Sequence, residues 1–341
     1  THYEPGVFYA KDAFEGLSLM DRIVVPDERA RLVEDNLDAA LKTMNRPNRR
    51  SFETTADPND TTRSETPLFE PPVAPFYGVK ELTDFTLADI WPHLDLKTLF
   101  RLHWGGKGLK DEAWAALQND EFLPRLNAMR ADAEATGWLQ PRVRYGFFPA
   151  NADGNDLVVF DPDDDDRELT RMTYPRQPGR ERLCLADYFL PLDGGKRDVV
   201  AFQIVTMGSA ATQRTEETQA RGDYSDSYYS HGLSVSSAEA LAEYTHQRVR
   251  AMLNIGEETG KRYSWGYPSC PDLEQHVIVD GLLDFAAIGV TVTDGFQFDP
   301  EQTTAAIVIP HPNAKYFALT RSLGDGAMTQ AGEITEPALA D

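Results

Sequence analysis

The sequence predicts a domain that mixes α-helices with β-strands. Short, nearly continuous apolar runs at 143–148, 157–160, 199–207 and 304–309 have the length and composition of buried strands. Residues 110–136, 236–255 and 272–286 instead space their apolar side chains as helices do. A third observation is size: 341 residues, 41% of them hydrophobic, can bury a sizeable core, as two or three ordinary domains or one large one with extensions.

Charge and cysteine content exclude several classes. The formal net charge is −22, and a surface so acidic repels nucleic acid and anionic lipid. No apolar run approaches the roughly 18 residues of a membrane span, and residues 1–25 show no basic start followed by an apolar block. Thr1 is not a natural start, so the chain reads as an excised piece. Cys184 and Cys270 stand far apart, which suits a reducing compartment, and a cytoplasmic location is expected. Neither the cysteines nor the histidines have metal-ligand spacing, so no metal is expected.

In chain order, residues 7–10 read as a strand and 12–24 as a helix carrying Leu17, Met20 and Ile23. After Pro26 and Asp27, residues 27–44 place Ala30, Val33, Leu37, Ala40, Leu41 and Met44 on one helical stripe. One strand and two helices cannot bury their own apolar faces, so 1–45 should pack on something larger. Residues 46–70 are polar and charged and read as a surface linker or a decorated loop. The proline-rich stretch from Pro71 to Pro75 enters the main domain, expected over 71–323, and 324–341 reads as a frayed tail. Residues 87–91 and 95–104 are helical, with Asp95 placed to cap the second. Phe148-Pro149-Ala150-Asn151 reads as a hairpin corner, and Asp161 to Asp166 as a solvated turn without calcium-loop spacing. From 167 to 197 the local charge reverses, with seven basic residues against four acidic ones. Along 236–255, Leu241, Tyr244, Val249, Met252 and Leu253 form the core stripe, while Glu239, Glu243, His246 and Arg250 lie off it.

The most unusual stretch is Arg262-Tyr263-Ser264-Trp265-Gly266-Tyr267-Pro268-Ser269-Cys270-Pro271. It has neither helical nor strand period. Gly266 tolerates positive φ, and Pro268 and Pro271 stiffen the chain beyond it. A rigid loop should present aromatic faces beside Arg262, whose guanidinium can grip a carboxylate through two hydrogen bonds. The same residues also suit a tight loop that plugs a core with Trp265 and Tyr267.

This stretch resembles the signature of the S-adenosylmethionine-binding reactivation domain of cobalamin-dependent methionine synthase. Four further stretches resemble that family in the right order: Phe148-Pro149-Ala150-Asn151, Cys184-Leu185-Ala186-Asp187-Tyr188, Ala238-Glu239-Ala240-Leu241-Ala242-Glu243-Tyr244 with His246, and His311-Pro312-Asn313-Ala314-Lys315-Tyr316-Phe317. Residues 7–22 resemble the end of the family's cobalamin-binding domain, although the cobalt-ligating Asp-x-His-x-x-Gly motif is absent. Leu273 stands where some members carry a histidine.

The resemblance implies an α+β fold, a bent antiparallel sheet with surrounding helices, preceded by a helical remnant of the cobalamin-binding domain. It implies S-adenosyl-L-methionine contacts at Asp95, Glu239, Arg262, Ser264, Gly266, Tyr267, Tyr316 and Phe317. The implied function is reductive reactivation: inactive cobalamin, held by another domain, takes one electron and then a methyl group from S-adenosylmethionine. No general acid or base is needed, so no catalytic side chain is expected. Implied partners are that cobalamin-binding domain and a flavodoxin-like or flavin reductase electron donor. Such donors are commonly acidic, so the basic strip, through Arg171, Arg176, Arg180 and Arg182, is the expected docking place. A standalone reactivating subunit and a non-catalytic sensor module remain open as alternatives.

Overall fold

In a computed structural model the chain is described at Phe8 and at residues 19–44, 60–178 and 181–317. Of the described residues, those up to 44 belong to one compact unit and those from 60 onward to a second. In the first, helix α1 (Pro26–Met44) follows the predicted start, with Asp27 and Glu28 beside its positive N-terminal end. Leu32 is buried and Val33 exposed, so the buried face is rotated from the predicted stripe. A short helix over 19–23 precedes α1; the predicted strand at 7–10, apart from Phe8, and the start of the helix at 12–24 lie outside the described residues.

The second unit is built on an antiparallel sheet. Its strands are β1 (Gly78–Leu82), β2 (Arg142–Asp153), β3 (Asp156–Asp161), β4 (Asp164–Thr173), β5 (Asp198–Thr206), β6 (Lys261–Ser264) and, after a two-stranded ribbon of β7 (Thr291–Val292) and β8 (Phe298–Asp299), β9 (Thr303–Ile309). The order is β4-β3-β2-β5-β9-β6, with β1 also on β2. Every residue of β5 is buried, as its apolar run predicts. Side chains alternate between two cores. Val199, Ala201 and Val205 join one; Val200, Phe202 and Ile204 join the other.

Phe148-Pro149-Ala150-Asn151 is not a hairpin corner. Strand β2 runs through it to Asp153, and the turn is Gly154-Asn155. Pro149 lies opposite Val199 of β5, while on the other side β1 ends at Phe147 and β3 begins at Ala150. The missing N–H therefore falls where two neighbours meet end to end, and costs no ladder bond.

Helices cover both faces. The first core is closed by α2 (Leu123–Thr136), which continues the helical turns Asp111–Ala116 and Leu117–Phe122, and by α4 (Tyr224–Met252), which follows α3 (Ser209–Ala220). Leu117–Phe122 is a π-turn just before Pro124, whose absent N–H breaks the regular ladder. The second core is closed by α5 (Gln275–Leu283) and the 3₁₀ turns Leu185–Tyr188 and Phe285–Ile288. Helix α4 starts 12 residues before the predicted 236, capped by Asp223, whose side chain accepts from the Asp226 amide. No helix among the described residues is long and apolar enough to cross a membrane.

Three expectations need correction. Within the basic strip, Arg176 is not available for docking. Arg176 is buried and grips Asp187 with both terminal nitrogens, at 2.5 and 3.0 Å. Arg171 pairs with Asp153, Asp156 and Glu168, Arg167 with Asp161, and Arg182 with Asp60; Arg180 lies outside the described residues. The acidic turn shrinks to Pro162-Asp163, and Asp164 onward belongs to β4. The described part of the predicted linker, residues 60–70, is docked. Arg63 donates to the Asp187 and Phe189 carbonyls, the Ser64 amide to Asp187, and His311 Nε2 lies 3.0 Å from the Pro67 carbonyl.

Candidate functional site

Arg262 lies on a strand rather than a loop. Strand β6 ends the sheet, with Arg262 opposite Val308 and Tyr263 opposite Ile307. Alternation sends Tyr263 and Trp265 into the second core, and turns Arg262 and Ser264 toward α4. Trp265 is fixed by its indole N–H donating to Gln275 Oε1 at 2.9 Å. After it, Gly266 takes φ +89° and a tight turn closes, the Gly266 amide donating to the Cys270 carbonyl at 2.8 Å and the Cys270 amide to the Tyr267 carbonyl at 2.9 Å. This turn leaves Tyr267 exposed.

Helix α4 supplies the carboxylates. Arg262 Nη2 donates to Glu239 Oε2 at 3.1 Å, and Nε to Glu243 Oε2 at 3.5 Å. The segment after β9 closes the third side. Tyr316 is exposed, its hydroxyl donates to the Arg262 carbonyl at 3.1 Å, and its ring packs edge-on against Tyr263 at 5.3 Å. That segment is held from beneath, as Tyr263 donates to the Lys315 carbonyl and the Asn313 amide to His311 Nδ1.

The structure thus brings Glu239 and Tyr316 each into contact with Arg262, with Ser264 on the same strand face as Arg262 and Gly266 and Tyr267 in the adjoining turn. Phe317 is half-buried against the second core. Asp95 caps the turn Leu96–Thr98, accepting from the Thr98 amide at 3.0 Å and hydroxyl at 2.5 Å. The helical stretch beyond it packs on α4, but the Asp95 hydrogen bonds are local.

Three further residues that lie off the predicted core stripe join this cluster. Glu243, His246 and Arg250 continue from Glu239 at spacings of four, three and four, which puts all of them on one side of α4. His246 and Arg250 are buried. Burial pulls the Glu243 carboxyl upward, but His246, Arg262 and Arg250 outweigh it and hold it down at about 2. Burial pushes His246 below the usual imidazole range, against the pull of Glu243. Arg262 is half-buried, and Glu239 and Glu243 outweigh its desolvation and raise it above the ordinary guanidinium value. The 4-3-4 spacing was the signal that could have found this cluster.

The arrangement offers a fixed cation flanked by carboxylates and exposed aromatic rings, suited to a zwitterion that also carries a soft cation. Neither cysteine is an activated thiolate: burial pushes the Cys184 thiol up to about 11 and raises Cys270 as well.

Comparisons with known proteins address the family and the fold. Residues 86–329 match the family model described as the vitamin B12 dependent methionine synthase, activation domain. Methionine synthase of Mycobacterium tuberculosis is 33% identical over 92% of this chain, and that of Mycobacterium leprae 34% identical over 92%. The chain spans 30% of the length of each relative. A crystal structure of the MetH reactivation domain bound to AdoHcy superposes with TM-score 0.66 at 27% identity, covering 74% of this chain and 84% of that one.

Proposed function

Because this chain belongs to the family of vitamin B12 dependent methionine synthase activation domains, we propose that it binds S-adenosylmethionine for the reactivation of cobalamin. The observation that carries this reading is Arg262, half-buried at the sheet edge, paired with two glutamates and beside an exposed tyrosine. Arg262 takes the ligand carboxylate, Glu239 and Asp95 its ammonium or ribose hydroxyls, and Tyr267 or Tyr316 the face beside the sulfonium. Ser264 and Gly266 line the approach, and Phe317 supports Tyr316 from the core side. Cobalamin, held by a separate domain, supplies the nucleophile that accepts the methyl group. This chain's part is to orient the ligand, so no proton has to move.

The remaining organisation is an expectation of the same reading: residues 1–45 as the end of the cobalamin-binding domain, 46–70 as the connection, 71–323 as the binding domain and 324–341 as a tail. The chain acts as part of a methyltransferase, in the cytoplasm, with a flavin-bearing electron donor. Arg176 is buried and does not meet that donor, while Arg171 and Arg182, partly exposed and ion-paired, remain its docking residues in this reading.

Isothermal titration with S-adenosylmethionine tests the ligand. Arg262→Ala should lose about 2 kcal/mol or more of binding energy, as a carboxylate loses its paired donors. Arg262→Lys should restore part of it, since an ammonium keeps the charge without the planar fork. Wild-type affinity in the alanine variant would refute the assignment.

A further inference from the structure

We propose that Glu243 is a positioning residue: it holds the Arg262 guanidinium in the orientation that receives the ligand's carboxylate, while Glu239 yields its place. This rests on the reading that the site takes S-adenosylmethionine. The two glutamates are held very differently. Glu239 has a side chain 53% exposed and meets Arg262 through Nη2. The Glu243 side chain is 34% exposed, and its carboxylate is engaged from several directions. Oε2 faces Arg262 Nε and His246 Nδ1, both at 3.5 Å; Oε1 faces Gln247 Nε2 at 3.4 Å and Arg250 Nη2 at 3.8 Å.

The anchors beneath Glu243 are themselves fixed. Arg250 donates to the Glu257 carbonyl. His246 is only 2% exposed, and neither of its ring nitrogens makes a directed hydrogen bond. A buried imidazole left in this state needs a compensating role, and the Glu243 carboxylate within reach of Nδ1 supplies one. A carboxylate fixed against Nε sets the plane of the guanidinium, because its donors form a rigid fork. The incoming carboxylate then replaces Glu239 at Nη2, one anion for another, so the charge facing Arg262 is unchanged. Released, Glu239 is free to turn toward the ligand's cationic or hydroxyl groups.

Titrating wild type and Glu243→Gln with S-adenosylhomocysteine and with methylthioadenosine, which lacks the carboxylate, tests this. The variant should lose about tenfold in affinity for S-adenosylhomocysteine, the effect of misaligning one charge-assisted hydrogen bond, and nothing for methylthioadenosine. In an Arg262→Ala background, Glu243→Gln should have no further effect on S-adenosylhomocysteine. If Glu243→Gln does not fold, His246→Leu carries the test, with the same selective loss in smaller measure. An equal loss for both ligands, or no loss for either, overturns the positioning role alone. A wild-type chain that binds neither overturns it together with the ligand reading.

Discussion

Glu243 is the residue whose ionisation connects the site to the stability of the fold. Its carboxyl is held at about 2 in the folded chain, against an ordinary value of 4.5. A folded value below the unfolded one means the unfolded chain takes up the proton first. The stabilisation is therefore complete above about pH 4.5 and disappears as pH falls toward 2. Urea denaturation at pH 6 and pH 3 should show Glu243→Gln losing stability at the higher pH and converging with wild type at the lower. Parallel curves would mean that Glu243 titrates normally. The Arg176–Asp187 pair makes a second residue-scale case. Both side chains are almost wholly buried, at 1% and 2% exposure, so removing one leaves an uncompensated charge. Arg176→Ala should cost about 3–5 kcal/mol in urea denaturation. Arg171→Ala, on an exposed network, should cost roughly 1 kcal/mol or less.

Among the elements, α4 shows why local sequence misleads. Its first half contains Ser227, Ser230, Gly232 and Ser234, poor helix formers, all buried or closely packed. They are small because the helix lies close on its neighbour: a Cβ on Gly232 would sit 2.9 Å from Trp104 Cδ1 and 3.1 Å from His103 Cβ. Alanine gains about 1 kcal/mol in helix propensity but overpacks a buried indole that donates to the Tyr229 carbonyl. Gly232→Ala should therefore be net destabilising by about 1 kcal/mol, and a raised unfolding midpoint would contradict the close packing.

The same logic decides which elements are legible in the sequence. Strands β2, β3, β5 and β9 were legible because both their faces are buried, which leaves continuous apolar runs. Edge strand β4 was hidden by Asp164, Asp166, Arg167 and Glu168, which an edge facing solvent tolerates. Strand β6 was hidden by its brevity, and by Arg262 and Ser264 turning toward α4. The motifs named Arg262, Glu239 and Tyr316 separately. Their contact arises only from pairing β6 with β9 and laying α4 across the sheet, where the Gln203 side chain donates to the Ala242 carbonyl at 2.9 Å. His246 and Arg250 lie off the apolar stripe in the sequence, and their burial emerges only from the partners the fold supplies.

At the scale of the whole molecule, charge sets the last expectation. The chain carries 55 acidic and 33 basic residues, so most of its long-range electrostatic energy is repulsion among carboxylates. Its ion pairs, by contrast, are short. Arg142 meets Glu81 at 3.1 Å, Arg214 meets Asp132 at 2.8 Å, and Arg248 meets Asp84 at 2.6 Å. Salt acts unequally on the two. The Debye length falls from about 10 Å at 0.1 M to about 3 Å at 1 M, which removes repulsion across the surface before it weakens contacts of 3 Å. Exposed pairs are in any case worth only about 0–1 kcal/mol each. Relief of repulsion should therefore exceed loss of attraction, and the thermal midpoint should rise as sodium chloride is raised from about 0.05 to 0.5 M, a range chosen to span the change in screening. Buried Arg176–Asp187 should contribute nothing to that slope, while neutralising several exposed carboxylates, such as Glu65, Glu258 and Asp294, should flatten it. A midpoint that falls with salt would show that the paired arginines around β3 and β4, rather than the excess of acid, dominate the electrostatics of this fold.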